Sequence, residues 1–376
     1  MLNNIKENIE NSIKKIDFLL LIPITILSVF SVLTLYDYNS NILFHKQILW
    51  VIISLFLFIF VSRVSFNFLE NSKLVIGVYI ISNLLLIYVA LFGKVINGAK
   101  AWIDLGLFSF QPADLAKLSI IILLAKYFSK RHVEIQFLRH IFVSLIYVMI
   151  PVSLIMLQPD FGSAIVLMFI WFFVVLISGL SKKHLLIMIF AGVLSALLMW
   201  NFLFAPYQKN RILNFVNPVR DIKGSGYNVY QAFIAIGSGG VYGKGVGLGT
   251  QSKLNFLPEY ETDFIFSAYA EEWGFVGVTI ILIIYFILMS RLAYIAYFTA
   301  SNFSALVAIG VFAWAIVHIF INISMNMGLF PVTGIPLPFM SYGGSHFILM
   351  SLGFAMAVSL SKVSLKNKVH SDFFLY

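Results

Sequence analysis

No cysteine occurs anywhere in this chain, which excludes disulfides and thiolate metal sites and leaves the redox compartment unread. Charge is also scarce: only 11% of the 376 residues are Asp, Glu, Lys or Arg, and the acids number 16. So few charges exclude an ordinary soluble surface. The scarcity makes one stretch conspicuous, because residues 257–274 hold Glu259, Glu261, Asp263, Glu271 and Glu272.

What is abundant is apolar. Hydrophobic residues make up 60% of the chain and Phe alone occurs 38 times, a composition that reads as a membrane protein. Runs long enough to cross a bilayer fall near 17–36, 47–62, 74–92, 114–128, 139–157, 162–178, 184–204, 263–290, 302–324 and 340–360. The first follows a charged segment, lacks a small-residue cleavage site and exceeds a signal-peptide core, so it reads as a retained helix. The expected fold is all-α, a single polytopic membrane domain over 1–376 with about ten transmembrane helices.

Basic residues orient it. With residues 1–16 as a cytoplasmic segment, the short basic connections at 63–73, 130–139, 182–183 and 291, together with the tail 361–376, fall on the cytoplasmic side. The long connections 93–113 and 205–262 are then extracytoplasmic. They carry Lys94, Lys100, Lys209, Arg211, Arg220, Lys223, Lys244 and Lys253 against the charge rule. The formal charge of +9 therefore points to lipid headgroups and an anionic ligand at the outer face, not to nucleic acid.

The glycine-rich stretch 237–251 is not a nucleotide loop. Ser238 stands five before Gly243 where a P-loop needs glycine, Lys244 is followed by Gly245, and no G-x-G-x-x-G fits. It reads as flexible backbone that can approach a ligand and offer N–H groups to phosphate oxygens, or as a plain mobile loop.

Five motifs carry a resemblance. They are Gln111-Pro-Ala-Asp-Leu-Ala-Lys117, Gln158-Pro-Asp-Phe-Gly-Ser163, Ala235-Ile-Gly-Ser-Gly-Gly240, the run from Leu257-Pro-Glu to Thr262-Asp-Phe-Ile-Phe266, and 331–345 with Gly334-Ile-Pro-Leu-Pro338 and Ser341-Tyr-Gly-Gly-Ser345. In this order, across nearly the whole chain, they resemble the RodA/FtsW (SEDS) family, and the wording of 334–338 is closer to the rod-shape branch than to the division branch. The resemblance implies a peptidoglycan glycosyltransferase that polymerises lipid II at the outer face of the bacterial cytoplasmic membrane. It implies as partners the growing glycan strand, a class B penicillin-binding protein, the elongation machinery and membrane lipids. It maps the essential aspartate to Asp263 and intramembrane partners to Asp114, Lys117 and Asp160, and Glu259 carries the family match. Further substrate-contact candidates are Arg211 and Lys244, from their place in the outer connection, Glu272, from its depth along the eighth span, and Ser341 and Ser345 of the last motif.

The chemistry fits those residue types. A sugar hydroxyl attacks an anomeric carbon whose leaving group is a polyprenyl diphosphate, so cations suffice on the leaving side. The attacking hydroxyl needs a carboxylate base. Asp263 stands at the outer end of the eighth span, where a competing reading makes it a helix cap. Glu271 and Glu272 follow two turns deeper, and at least one is expected to share its cavity. Glu261 stands where relatives often have histidine. Asp114 and Lys117, three apart on one helix face, read equally as a structural ion pair or as substrate contacts. Asp160, after Pro159, reads as a turn or as a wall of the site.

Two departures stand out: Ala101 where relatives usually have Arg before Trp102, and Ala113-Asp114 for the usual Ser-Glu. Lys100 is a doubtful substitute for the missing cation, since neighbouring side chains point elsewhere. His318 and His346 lie in the last two spans and neither has a second His or Cys at ligand spacing, so the metal expectation is limited to Mg2+ or Mn2+ held by the substrate diphosphate and one carboxylate. The rival readings are a lipid flippase, which would spread polar groups through the bilayer depth and show repeats, and a scaffold for a partner enzyme.

Overall fold

The computed structural model describes residues 17–36, 42–96, 99–104, 106, 109–130, 138–204, 206–216 and 225–373. The expected amino-terminal segment 1–16 and the cations Arg220 and Lys223 lie outside the described residues. A helix stands at each of the ten apolar runs: α1 (Phe18–Thr34), α2 (Ile42–Val61), α3 (Ser72–Phe92), α4 (Pro112–Ser129), α5 (Leu138–Met156), α6 (Phe161–Ile177), α7 (Lys182–Leu198), then, after the polar connection, α11 (Ile265–Phe298), α12 (Asn302–Asn326) and α13 (Gly344–Phe373). Seven of these, counting α7 through its continuation to Phe202, are long and apolar enough to cross a membrane. The helices α1 and α6 are shorter, and α4 carries Asp114, Lys117 and Lys126.

The connection 205–262 was expected as one long glycine-rich loop. Instead it holds α8 (Pro206–Val216), α9 (Ser225–Ser238) and the single turn α10 (Thr250–Lys253). The other long connection folds into a three-stranded antiparallel sheet of β1 (Lys94–Ile96), β2 (Ala99–Asp104) and β3 (Ser109–Phe110). Side chains alternate along β2: Ala101 is buried, while the Lys100 ammonium turns back to the Leu91 carbonyl at the end of α3 (2.6 Å). Lys100 therefore caps a helix and does not replace the missing cation.

At the centre stands α12, buried along most of its length and packed against α4, α6, α11 and α13. Around it α2 packs on α13, α1 on α11, and α3 on α4. The outward faces of α2, α3 and α11 expose Phe, Leu and Ile, as a lipid solvent requires. α7 has no fully buried residue; Met188 packs against the core, and most of the helix's apolar surface is left to that solvent.

α11 and α1 run antiparallel and mark the two ends of the bundle. At one end Arg291 clamps Asp17 with a 2.8 Å contact; at the other, Lys253 reaches the Thr34 carbonyl at the end of α1 (2.6 Å). The 34 residues of α11 are interrupted at Gly274, whose φ of 63° and ψ of −164° only glycine holds without strain. The stretch after it is about 36 Å long, enough for a hydrocarbon core of ~30 Å.

Candidate active site

The site is assembled where the turn before α11 meets the extended segment 331–343. Glu259 adopts a left-handed backbone (φ 53°), which lets its carbonyl accept from the N–H groups of Thr262, Asp263 and Phe264 (3.1–3.2 Å). Ser341 Oγ donates to the Thr262 carbonyl (2.6 Å) and accepts from Leu337 N (2.8 Å), while Tyr342 N donates to the Glu261 carbonyl (2.7 Å). Asn322 and Asn326 of α12 both donate to the Asp263 carbonyl, at 3.0 and 2.9 Å. The backbone of Asp263 is thus held from three elements.

Its carboxylate is left for other work. The cap residue of α11 is Phe264, and the helix has no side-chain cap hydrogen bond, so the reading of Asp263 as a cap is set aside. Oδ2 instead faces Gly334 across the recess. Burial pushes the Asp263 carboxyl up to about 7 from the ordinary 3.8; the charges of Glu259, Glu261 and Asp160 add to the rise, and Arg211 opposes it. Burial also raises Glu261, with Glu259 adding to it. The side chain keeps partial solvent access. Asp263 is therefore a carboxylate in a reachable recess that takes a proton near neutral pH.

Asp160 stands near enough to Asp263 for its charge to act on that carboxyl, and it occupies the turn that starts α6. Oδ1 caps α6 by accepting from Ser163 N (3.0 Å), and Oδ2 accepts from Gln111 Nε2 (3.1 Å). Gln111 N in turn donates to Ser345 Oγ (3.1 Å), so Ser345 joins the start of α4 to the start of α13. The sequence motifs assign no role to Gln111, and they do not include Asn322 or Asn326. Their signal was legible: two amides four apart in an apolar helix.

Asp114 and Lys117 form a 2.8 Å ion pair enclosed among α4, α12 and α13, both side chains at most 3% exposed. His346 Nδ1 stands 3.4 Å from Asp114 Oδ2, stacked on His318 at 4.8 Å. His318 accepts from Trp314 Nε1 (3.1 Å) and engages the Pro336 carbonyl (3.0 Å). These groups lie behind the recess, packed under the 331–343 segment.

Two expectations are corrected. Neither Glu271 nor Glu272 shares the cavity of Asp263, whose charged neighbours are Glu259, Glu261, Asp160 and Arg211. Both glutamates are buried and turned toward the glycine-rich segment. Glu271 binds Lys244 Nζ (2.6 Å), Thr250 Oγ1 and the N–H groups of Gln251 and Ser252; Glu272 accepts from Gly247 N (3.2 Å) and pairs with Lys253 (3.4 Å). The glycine stretch is not a phosphate cradle either. Lys244 N and Gly245 N donate to the carbonyls of Glu271 and Glu272, and the broken helix returns Phe275 N and Val276 N to Gly240 and Val241. A Cβ on Gly243 would overlap the Glu272 carbonyl, so close backbone approach is what its glycine serves.

Among the described residues no three His, Asp or Glu side chains converge as a metal cage. With both Asp160 oxygens hydrogen-bonded, an ion here would be held mainly by phosphate oxygens brought by a substrate, with Asp263 as the nearest unengaged carboxylate.

The chain matches the FtsW/RodA/SpoVE model of cell cycle proteins over residues 12–366. It is 39% identical over 282 residues to the peptidoglycan glycosyltransferase MrdB of Escherichia coli K12, covering 75% of this chain and 76% of that one. Its structure is similar to a chain of a peptidoglycan synthase complex that coordinates polymerisation and crosslinking, with a TM-score of 0.79 at 30% identity over 93% of this chain and 98% of that one. It is also similar to the rod shape determining protein RodA of Thermus thermophilus, with a TM-score of 0.69 at 29% identity over 93% and 97% of the two chains.

Proposed function

The chain belongs to the FtsW/RodA/SpoVE family of cell cycle proteins, and on that footing we propose that it is a peptidoglycan glycosyltransferase in which Asp263 is the general base. It is a multi-pass membrane protein that joins lipid II units into glycan strands. The observation that carries the role of Asp263 is its uncapped carboxylate in a partly open recess, near the charges of Asp160, Glu259 and Glu261 and opposite Gly334.

In each cycle the acceptor sugar hydroxyl attacks the anomeric carbon of the donor. A new C–O bond forms, the bond to the diphosphate oxygen breaks, and that oxygen leaves with the electron pair. The hydroxyl proton passes to Asp263, which contributes roughly 10²–10⁴-fold. A single displacement inverts the anomeric centre. On the leaving side positive charge is needed, and Arg211 is the cation whose charge acts on Asp263. Lys117, enclosed with Asp114 behind the recess, and Lys244, bound to Glu271 away from it, are not leaving-group contacts in this reading. Mg2+ or Mn2+, when bound with the diphosphate, would supply further charge neutralisation.

The recess faces the outer side of the cytoplasmic membrane with both termini inside, on the evidence of the basic short connections at 63–73, 182–183 and 291. Rod-shape synthesis rather than division is supported by the 334–338 wording and the likeness to MrdB and RodA. A class B penicillin-binding protein is the proposed partner. It is supported by the likeness to the synthase complex.

Purified protein given lipid II in detergent or liposomes tests the function. Glycan polymer is the expected product. Translocation of lipid II across the vesicle without polymer would make the protein a flippase instead, and neither activity with stimulation of a partner's polymerase would make it a scaffold.

A further inference from the structure

In an unbroken α-helix the Ser267 N–H would donate to the Asp263 carbonyl, four residues back. Here the side chain of Asn326 is inserted between them. Its Oδ1 accepts from the Ser267 N–H (3.1 Å) and hydroxyl (2.6 Å), and its Nδ2 donates to the Asp263 carbonyl (2.9 Å). A second donor reaches the same carbonyl from Asn322 Nδ2, which also donates to the Ile335 carbonyl (2.8 Å). Both asparagines are fully buried.

Buried amides in an apolar helix are costly unless every polar atom is used. Here both converge on the Asp263 carbonyl and tie it to Ser267 and Ile335. The inserted amide keeps the first turn of α11 open, so the helix begins after Asp263 instead of running back over it. The clamp to Ile335 sets the distance between the Asp263 turn and the segment carrying Gly334. Were the first turn to close, Asp263 would join the helix, and its carboxylate would rotate away from Gly334.

We infer that Asn326 is a positioning residue for Asp263: its side-chain amide stands in for a helical hydrogen bond and so fixes the direction in which the carboxylate points, with Asn322 as the second arm of the clamp. The inference rests on the reading of Asp263 as the base. Asn326 is fully buried and acts through the backbone.

The test compares full-length Asn326→Ala, Asn326→Asp, Ser267→Ala and Asp263→Asn in lipid II polymerisation, with lipid II binding measured separately. Asn326→Ala frees the Ser267 N–H to bond Asp263 directly, so kcat should fall about 10²-fold while KM stays within about threefold. Its pH–rate midpoint should move down as the carboxylate leaves the company of Glu259, Glu261 and Asp160, with Arg211 opposing the shift. Ser267→Ala keeps the N–H and should stay within about threefold of wild type. If Asn326→Ala does not bind lipid II, Asn326→Asp decides. It keeps the acceptor for Ser267 and the volume but loses the donor, and a kcat loss of about tenfold or more at unchanged KM is expected. Wild-type kcat and pH midpoint in whichever variant binds lipid II, alongside an inactive Asp263→Asn, would overturn the positioning role alone. An active Asp263→Asn would overturn the base reading beneath it.

Discussion

Asp263 Oδ2 and Gly334 face each other so closely that a Cβ built on the glycine would stand 3.6 Å from the carboxylate oxygen. Gly334 also holds φ at 74°, where an L side chain is strained. Gly334→Ala should therefore lower stability by about 1–3 kcal/mol and put a methyl group where the acceptor hydroxyl must approach. A drop in kcat/KM of tenfold or more, larger than the thermal shift explains, is the expected result. Steady-state polymerisation and melting curves on the same preparation check it.

Gly274 supports the fold without touching the recess. A Cβ there would overlap Gly243 N and crowd the Val241 carbonyl, and its φ/ψ is open to glycine alone. Gly274→Ala should release the glycine-rich segment from α11 and destabilise the protein by several kcal/mol. Limited proteolysis reads the outcome: new cleavage within 239–253 is expected, and a wild-type pattern would show that the kink is not what holds the segment.

Protonation of Asp263 sets the pH dependence. Its carboxyl is raised to about 7 in the folded chain, so the basic form, and with it the rate, should increase with pH up to about 7 and level off above. Stability runs the other way. The folded state binds the proton more tightly than the unfolded one, so this group's contribution falls as pH rises from about 4 to about 7 and is constant beyond. Glu259→Gln removes a charge that raises the group and should move the rate midpoint to lower pH. A pH–rate profile of both proteins is the check, and coincident midpoints would remove Glu259 from the electrostatics of the base.

The Asp114–Lys117 pair is enclosed, so breaking it should cost more than deleting it. Lys117→Met leaves an uncompensated buried carboxylate and should destabilise by about 3–5 kcal/mol, whereas Asp114→Leu/Lys117→Met should recover most of that loss. Denaturation of the three proteins in one detergent measures the difference. A double variant no more stable than the single would mean that the partners are not compensating each other.

The bundle was legible because a lipid solvent permits few solutions: each apolar run of bilayer length carries a helix, most within a few residues of its expected ends, although α11 and α13 run on well past theirs. Asp263 was legible because acids are so rare that one beside a family motif stands out. The pairing of Asp114 with Lys117 followed from helical spacing, but His346 joins them from more than 200 residues away, beyond any local pattern. The same limit hid the fate of the glycine-rich segment. Its N–H groups looked available for phosphate only because their acceptors, Glu271 and Glu272, lie across a tertiary contact with a broken helix. Distance along the chain concealed the clamp on Asp263 as well, although the spacing of Asn322 and Asn326 was open to view.

Substitution of Asp263 by asparagine tests the base directly, since the amide fills the same space and cannot take the acceptor's proton. Lipid II binding and polymer formation by purified Asp263→Asn should separate: binding near wild type, with turnover reduced by roughly 10²-fold or more across the pH range and no rise through about 7. Turnover close to wild type in a variant that binds lipid II would contradict the assignment of Asp263 as the catalytic base.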